Sequence, residues 1–197
     1  MIGDAPRSPH TRVPGWLEND EENAIVENAR AIPEYGLAIN IGVEYGRSMS
    51  DFVKYMPATA KVYGVDIAPL EAYTKNLLEA KLDPPPLIPG NSADPDTLKL
   101  VKKLIKTRSI DLLFIDGDHS YNGTLADLNI WTPLVKVGGK LLIHDVAVSA
   151  SPEHPTHVPH ELHHDVKRAI DVWKSQSGDN WQVVKAVHTL LILERIH

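Results

Sequence analysis

Apolar residues recur along the chain at two spacings, and these spacings predict alternating helices and strands. Ala24, Ile25, Ala29 and Ile32 share one helical face, which predicts a helix over residues 18–32. Five short apolar runs follow, at residues 37–42, 61–66, 87–88, 110–116 and 140–145, and they predict strands. Amphipathic segments between them predict helices over 48–56, 69–82, 94–107 and 123–135. This alternation indicates a parallel sheet covered by helices.

The pattern changes after the fifth predicted strand. Residues 149–159 combine prolines and histidines without periodicity and predict a loop or lid. A helix over 161–175 and strands over 181–187 and 189–196 follow, and so short a connection allows only an antiparallel pair. We therefore predict an α/β, Rossmann-like, seven-stranded, mostly parallel sheet with helices on both faces and a C-terminal antiparallel hairpin. The predicted division is an N-terminal arm and helix in 1–36 and one domain in 37–197, with a lid-like loop at 147–160.

Composition limits the chemistry that the chain can perform. The 197 residues include 26 acidic and 20 basic side chains, ten histidines and no cysteine. A metal would therefore have to use His, Asp, Glu or Asn, and a cysteine nucleophile is excluded. No apolar run approaches the roughly 18 residues of a membrane span, and no block of basic residues suggests a nucleic-acid surface. We expect a cytoplasmic protein that binds a small molecule, and neither nucleic acid nor membrane.

The residues that follow the first two strands favour a nucleotide-like ligand. Ligands of open parallel sheets lie beyond the carboxyl ends of the strands. Here the first strand leads into a glycine turn, Gly42 to Ser48, which enters a helix. The second ends in Asp66, which is well placed to accept ribose hydroxyls. Each feature alone also fits a structural role, as a tight turn or a helix cap, and it is their combination that favours a ligand.

Five residues that can bind a metal or a proton follow the fourth and fifth strands. They are Asp116, Asp118, His119, His144 and Asp145. Because the ends of neighbouring parallel strands meet, we expect these side chains to face one cleft. Carboxylates with an imidazole suit Mg²⁺, Mn²⁺ or a similar ion. Alternatively, Asp118 caps the following helix and His144 packs as a neutral ring.

Taken together, these motifs resemble class I S-adenosylmethionine-dependent methyltransferases. The resemblance spans about residues 37–196 and is most specific in IDGDHSYNGTLADL, which runs from Ile115 to Leu128. It also includes the glycine turn and the segments 65–66, 90–93, 131–139 and 143–145. The most similar branch contains cephalosporin-hydroxylase-like proteins and sugar O-methyltransferases of antibiotic pathways. The resemblance implies that residues 37–197 form an S-adenosylmethionine-binding methyltransferase domain.

The resemblance also implies which residues bind the cofactor. The glycine turn would hold the methionine moiety, Asp66 the ribose and residues 91–93 the adenine. The full predicted set is Asn40, Gly42, Glu44, Gly46, Ser48, Asp66, Asn91, Ser92, Ala93 and Asp116. Asn40 and Asn91 stand where the family often has an acidic residue, and Glu44 is a candidate substitute for the first.

The same resemblance implies a reaction. Asp116 and the pair His144 and Asp145 match residues that hold Mg²⁺ in metal-dependent relatives, although His144 brings one negative charge fewer. The base that deprotonates the acceptor matches either Asp118 or His119. The expected function is methyl transfer from S-adenosylmethionine to a hydroxyl of a sugar, polyol or phenol. A divalent cation, Mg²⁺ or another, would be an optional second cofactor.

Other interpretations stay open at this stage. An NAD(P)-binding oxidoreductase would also use the glycine turn and Asp66, but the GxGxxG fingerprint is absent and the C-terminal hairpin opposes it. A non-catalytic cofactor-binding homologue is favoured only by Asn40 and Asn91. His160 and His164 are spaced to share an ion, but a solvated lid formed by His154, His157, His160, His163 and His164 is the favoured interpretation. So short a chain also allows a homo-oligomer that completes the cleft.

Overall fold

The computed structural model describes residues 5–67, 70–147 and 161–197. Within them, helices and strands alternate as the sequence predicts. The helices are α1 (Asn19–Arg30), α2 (Arg47–Tyr55), α3 (Leu70–Glu79), α4 (Pro95–Ile105), α5 (Tyr121–Trp131) and α6 (Glu161–Ser177). The strands are β1 (Leu37–Ile41), β2 (Lys61–Asp66), β3 (Leu87–Pro89), β4 (Ile110–Ile115), β5 (Val135–Ile143), β6 (Trp181–Val187) and β7 (Leu190–Arg195).

The seven strands form one sheet in the order β3-β2-β1-β4-β5-β7-β6. Strands β1 to β5 pair in parallel, whereas β7 pairs antiparallel with both β5 and β6. This topology confirms the predicted mostly parallel sheet and the C-terminal hairpin. None of the helices in the described ranges is long and apolar enough to cross a membrane.

Each face of the sheet packs against three helices. Leu37, Ile39 and Ile41 of β1 point into a core that includes residues of α4, α5 and α6. Ala38, between them, points into the opposite core with residues of α1, α2 and α3. A strand with helices on both sides buries every side chain, which is why β1 is a continuous apolar run apart from Asn40.

The fifth βα unit differs from the prediction at both of its boundaries. The predicted helix over 123–135 begins earlier, at Tyr121, because Ser120 caps it by accepting the Gly123 N–H. It ends at Trp131 because Pro133 cannot donate a backbone hydrogen bond, and residues 132–134 form a 3₁₀ turn. Strand β5 then begins at Val135 rather than at residue 140, with an irregularity around Gly138. Most of the predicted lid, residues 148–160, lies outside the described residues.

The N-terminal arm closes onto α1 and α2 through buried polar contacts. Residues 7 and 14 form a β-bridge, so the arm turns back on itself. Ser8 donates its hydroxyl hydrogen to Glu22 of α1, and the hydroxyls of Thr11 and Ser50 lie 2.6 Å apart. The arm is therefore fixed to both helices.

A buried charge cluster joins α1 to α2. Glu22 pairs with Arg47 at 2.6 Å, both side chains are almost fully buried, and Arg47 also donates to the carbonyl of Gly15 at 2.8 Å. Asp51, one helical turn after Arg47, is fully buried in the same helix. Burial, reinforced by the charge of Glu22 and a hydrogen bond to it, raises the pKa of Asp51 to about 9, against the opposing charges of Arg47 and Lys54. Asp51 therefore carries a proton at neutral pH.

The protonated Asp51 predicts that stability falls as the pH rises. In the unfolded chain its pKa returns to 3.8, so between pH 4 and about pH 9 only the folded state holds this proton. Asp51→Asn keeps a donor toward Glu22 without a titrating group. We expect the variant to have a larger free energy of unfolding at pH 8 and a flatter pH dependence, measured by urea denaturation.

The difference between the slopes of the original protein and Asp51→Asn from pH 7 to 9 isolates this effect, because histidines with a raised pKa contribute equally to both. Burial also raises the pKa of Asp127, but only to about 6, so that group contributes mainly at lower pH. An unchanged slope between pH 7 and 9 in Asp51→Asn would show that Asp51 is ionised in the native protein.

Candidate active site

A cavity of about 770 Å³ opens at the carboxyl ends of the central strands. It lies where the strand order reverses between β1 and β4, the position at which open α/β sheets bind their ligands. Arm, glycine turn and strand ends all contribute to its wall. Among the lining residues are Trp16, Gly42, Glu44, Ser48, Asp66, Asn91, Ser92, Asp116, Asp118, His119, His144 and Asp145.

The sheet fixes the residues that follow the strands. Its backbone hydrogen bonds continue one position beyond three strand ends: Gly42 donates to Val65, Asp116 to Ile41 and His144 to Ile115, at 2.9–3.0 Å. Gly42, Asp116 and His144 are therefore held in register by the core of the fold.

The glycine turn after β1 has backbone conformations that favour glycine. Gly42 has a φ of +77°, and a Cβ on it would lie 1.9 Å from the carbonyl oxygen of Asp116. Gly46 has a φ of +94° and packs closely against Leu77 and Tyr73. The turn can approach the end of β4 this closely only because the residue at position 42 has no side chain.

Asp66 sets the shape of this turn. One of its carboxylate oxygens accepts the backbone N–H groups of Val43 at 2.6 Å and Glu44 at 2.7 Å. Burial raises the pKa of Glu44, and the charges of Asp116 and Asp66 raise it further. The glycine turn thus places the carboxyl groups of Glu44 and Asp66 beside tightly packed backbone. This combination fits a ligand with ribose hydroxyls and an ammonium group.

Two of the predicted cofactor-binding residues do not line the cavity. Asn40 is fully buried beneath the turn, where its amide donates to the hydroxyl of Ser48 at 2.9 Å. Ala93 lies outside the lining set, and its backbone N–H donates to the side chain of Asn91 at 2.8 Å. Asn40 and Ala93 therefore support cavity-lining neighbours rather than face the cavity themselves.

The acidic and imidazole side chains after β4 and β5 form one cluster. His119 lies 3.3 Å from Asp116 through Nε2 and 3.2 Å from Asp145 through Nδ1. His144 points Nδ1 at the same two carboxylates, 3.0 Å from Asp116 and 3.5 Å from Asp145. Asp118 also lines the cavity, but one of its carboxylate oxygens accepts the backbone N–H of Ser120 at 2.9 Å.

Sequence reasoning missed Glu21, which lies behind the cluster. One carboxylate oxygen of Glu21 is 3.1 Å from Nε2 of His144. The other accepts the backbone N–H and the hydroxyl of Thr189 at 2.8 and 2.6 Å and lies 3.2 Å from Nδ1 of His188. The available signal was an acidic residue one turn before Ile25, on the apolar face of α1.

His163 was predicted only as part of a lid. In the structure its Nε2 lies 3.2 Å from Asp145, and its carbonyl accepts the N–H of Ala147. The start of α6 therefore reaches the same cluster.

The cluster stabilises its own charges. Burial opposes ionisation of Glu21 and Asp116, yet contacts with His144, and for Asp116 also with His119, hold both pKa values below their ordinary range. Burial likewise opposes protonation of His144, but Asp116 and Glu21 together raise its pKa well above the ordinary value. A hydrogen bond to Asp116 raises the pKa of His119 against the effect of burial.

The same side chains fit a divalent cation. One donor atom each from Asp116, His144 and Asp145 lies within 4.8 Å of the other two. Carboxylate oxygen and imidazole nitrogen are both common ligands of divalent metals. A cation there would take the place of the proton that otherwise sits between His144 and the carboxylates.

The fold is that of class I S-adenosylmethionine-dependent methyltransferases, as the sequence resemblance implied. Residues 39–146 match the family described as a methyltransferase domain. The match covers more than half of the chain, and the protein belongs to this family. A search among curated protein sequences found no significant match.

Solved structures with the same fold include enzymes for different acceptors. The O-methyltransferase TomG from Streptomyces achromogenes, involved in tomaymycin synthesis and solved with SAM, is 13% identical, with a TM-score of 0.69 over 92% of this chain and 82% of its own. The O-methyltransferase from Bacillus cereus, solved with SAH, is 12% identical, with a TM-score of 0.66 over 91% and 83%. An rRNA methylase from Streptococcus thermophilus is 12% identical, with a TM-score of 0.61 over 93% and 100%.

Two glycines with nearly the same φ allow a test of the close approach at the turn. Gly138 has a φ of +78°, and a Cβ on it would have nothing within 4 Å, whereas Gly42 faces the Asp116 carbonyl. Gly138→Ala should destabilise by the backbone strain alone, about 1–2 kcal/mol. Gly42→Ala should cost a further ~1–3 kcal/mol for overpacking. Urea denaturation of both variants measures the difference, and equal losses would contradict the steric role of Gly42.

Proposed function

We propose that the protein is an O-methyltransferase that uses S-adenosylmethionine and acts on a hydroxyl of a small sugar, polyol or phenol. A divalent cation held by Asp116, His144 and Asp145 assists the reaction. The observation that carries this proposal is one cavity with the glycine turn and Asp66 on one side and the Asp116, His119, His144 and Asp145 cluster on the other. The family match supports the choice of cofactor.

In this proposal the domain over 37–197 binds the cofactor through its strand ends. The turn from Gly42 to Ser48 holds the methionine moiety, with the Glu44 carboxylate in reach of an ammonium group. Asp66 receives the ribose hydroxyls, and Asn91 and Ser92 face the adenine. When bound, S-adenosylmethionine supplies an electrophilic methyl group on sulfur.

The acceptor hydroxyl must be aligned and lose a proton, because an alcohol is a weak nucleophile at neutral pH. We assign the base to His119, which lines the cavity and is only half-buried, and whose pKa is raised by its hydrogen bond to Asp116. The acceptor hydroxyl would replace one of the two carboxylates that the ring nitrogens contact. Asp118 is the weaker candidate because it already accepts the Ser120 N–H and shapes the loop. A bound divalent cation would lower the pKa of the hydroxyl.

A small acceptor fits this chain better than RNA does. Acidic side chains outnumber basic ones by 26 to 20 in the chain, and among the described residues the cavity lining has five carboxylates against one arginine and two histidines. Such a wall repels phosphates and attracts a cation or neutral hydroxyls. Because an rRNA methylase shares the fold, RNA belongs in the test.

Binding measurements test the cofactor assignment. In calorimetry we expect S-adenosylmethionine and its demethylated product to bind and NAD to show no heat of binding. Methyl transfer from labelled cofactor, with divalent cations present, then compares sugars, polyols and phenols with ribosomal RNA. Turnover of RNA alone, or binding of NAD in place of S-adenosylmethionine, would refute the proposal.

Paired variants test the base. His119→Gln should lower kcat for methyl transfer by about 10²–10⁴-fold, the usual contribution of a general base. Its Kd for S-adenosylmethionine should not change. Asp118→Asn is the matched control and should lose far less activity. The opposite ranking would assign the proton transfer to Asp118.

A further inference from the structure

We propose that Glu21 makes His144 a metal ligand, so that the centre formed by Asp116, His144 and Asp145 prefers a borderline transition ion over Mg²⁺. Co²⁺, Zn²⁺ and Fe²⁺ are ions of this class. This inference rests on the cation site of the proposed function and specifies which metal that site takes.

The orientation of His144 is that of a metal ligand. Nε2 faces the Glu21 carboxylate at 3.1 Å, so that nitrogen carries a hydrogen in every protonation state that keeps this contact. Nδ1 points at the cavity side, between Asp116 and Asp145. A carboxylate behind one ring nitrogen, with the other nitrogen facing the ion, is the usual arrangement around metal-bound histidine.

Glu21 is rigidly held for this task. Its side chain is 2% exposed, and its second oxygen is fixed by two hydrogen bonds from Thr189. The carboxylate thus connects α1, the turn between β6 and β7, and the end of β5. It also lies outside residues 39–146, so this support for His144 comes from a part of the chain beyond the matched family region.

The other histidines of the cluster support the two carboxylates. His163 contacts one oxygen of Asp145 and His119 the other, while His119 also contacts Asp116. Outer contacts of this kind orient carboxylate ligands and fix the size of a site. The centre is therefore a positioned set of two carboxylates and one imidazole rather than a loose group of acidic side chains.

The donor types decide the metal. Mg²⁺ takes oxygen ligands and is reluctant to exchange water for nitrogen, whereas imidazole suits Zn²⁺, Fe²⁺ and their neighbours. Replacing a third carboxylate by a neutral imidazole also removes negative charge, which weakens binding of a hard ion most. The centre should thus follow the affinity order of first-row ions, with Mg²⁺ far below Co²⁺ and Zn²⁺.

Metal titration of the intact chain, first stripped with chelator, tests this order. Calorimetry should give Kd values for Co²⁺ and Zn²⁺ that are lower than that for Mg²⁺ by more than an order of magnitude. Bound Co²⁺ should show visible absorption bands that change in His144→Glu. Equal affinity for Mg²⁺, or a Co²⁺ spectrum that is identical in His144→Glu, would overturn the inference.

Three variants separate ligand, support and general stability. His144→Glu creates an all-oxygen set and should raise the affinity for Mg²⁺ while lowering that for Co²⁺. Glu21→Gln keeps an acceptor without charge and should weaken Co²⁺ binding about 10–100-fold. Glu22→Gln changes the adjacent buried carboxylate, which contacts Arg47 instead, and should leave Co²⁺ affinity unchanged. Equal effects of Glu21→Gln and Glu22→Gln would contradict the role of Glu21.

Cofactor binding on the same preparations keeps the two proposals apart. If S-adenosylmethionine binds and its methyl group is transferred, but the metal titration shows no preference for Co²⁺ or Zn²⁺ over Mg²⁺, the metal inference fails and the methyltransferase proposal stands. If S-adenosylmethionine does not bind, the proposed function fails whatever the metal titration shows. Circular dichroism of each variant confirms that it is folded, and the gain of Mg²⁺ affinity in His144→Glu cannot arise from unfolding.

Discussion

Two adjacent buried carboxylates in the first turn of α1 constrain the rest of the structure. An ionised carboxylate can be buried only where partners compensate its lost hydration. Glu21 finds them at His144 and Thr189, and Glu22 finds its partner at Arg47. These partners lie at the end of β5, in the hairpin turn and at the start of α2. Because both carboxylates must be matched at once, α1 has a single position against the sheet, and the cavity wall is fixed with it.

The cavity combines two kinds of surface that meet at Asp116. On one side, the glycine turn presents mostly backbone, shaped by Asp66 and by the close approach of Gly42 to the Asp116 carbonyl. On the other side, the wall includes ionisable side chains, and the Asp116 carboxylate contacts both His119 and His144. Asp116 thus contacts the glycine turn with its main chain and both histidines with its side chain. Any shift at the end of β4 would misalign both.

The sequence predicted those features of the fold and site that depend on local periodicity and on which residues follow each strand. The sheet, the hairpin and the convergence of residues after β4 and β5 follow from apolar runs and from parallel topology. Glu21 and His163 were not predicted to meet this cluster, because His144 is 123 positions from Glu21 and helical spacing carries no information about such distant partners. The position of Asn40 at the end of a strand likewise does not give its partner, because its side chain lies beneath the turn and donates to the hydroxyl of Ser48. Pairing of buried polar groups is decided by three-dimensional packing.

The contact between Glu21 and Thr189 spans 168 positions of the chain. During translation, α1 emerges early and presents two carboxylates whose compensation depends partly on a hairpin made much later. The sheet from β1 to β5 can form before that hairpin leaves the ribosome, but β7 must still pair with β5 before Thr189 reaches α1. The contact of Glu21 with Thr189 can therefore be completed only after the C-terminal hairpin has been synthesised.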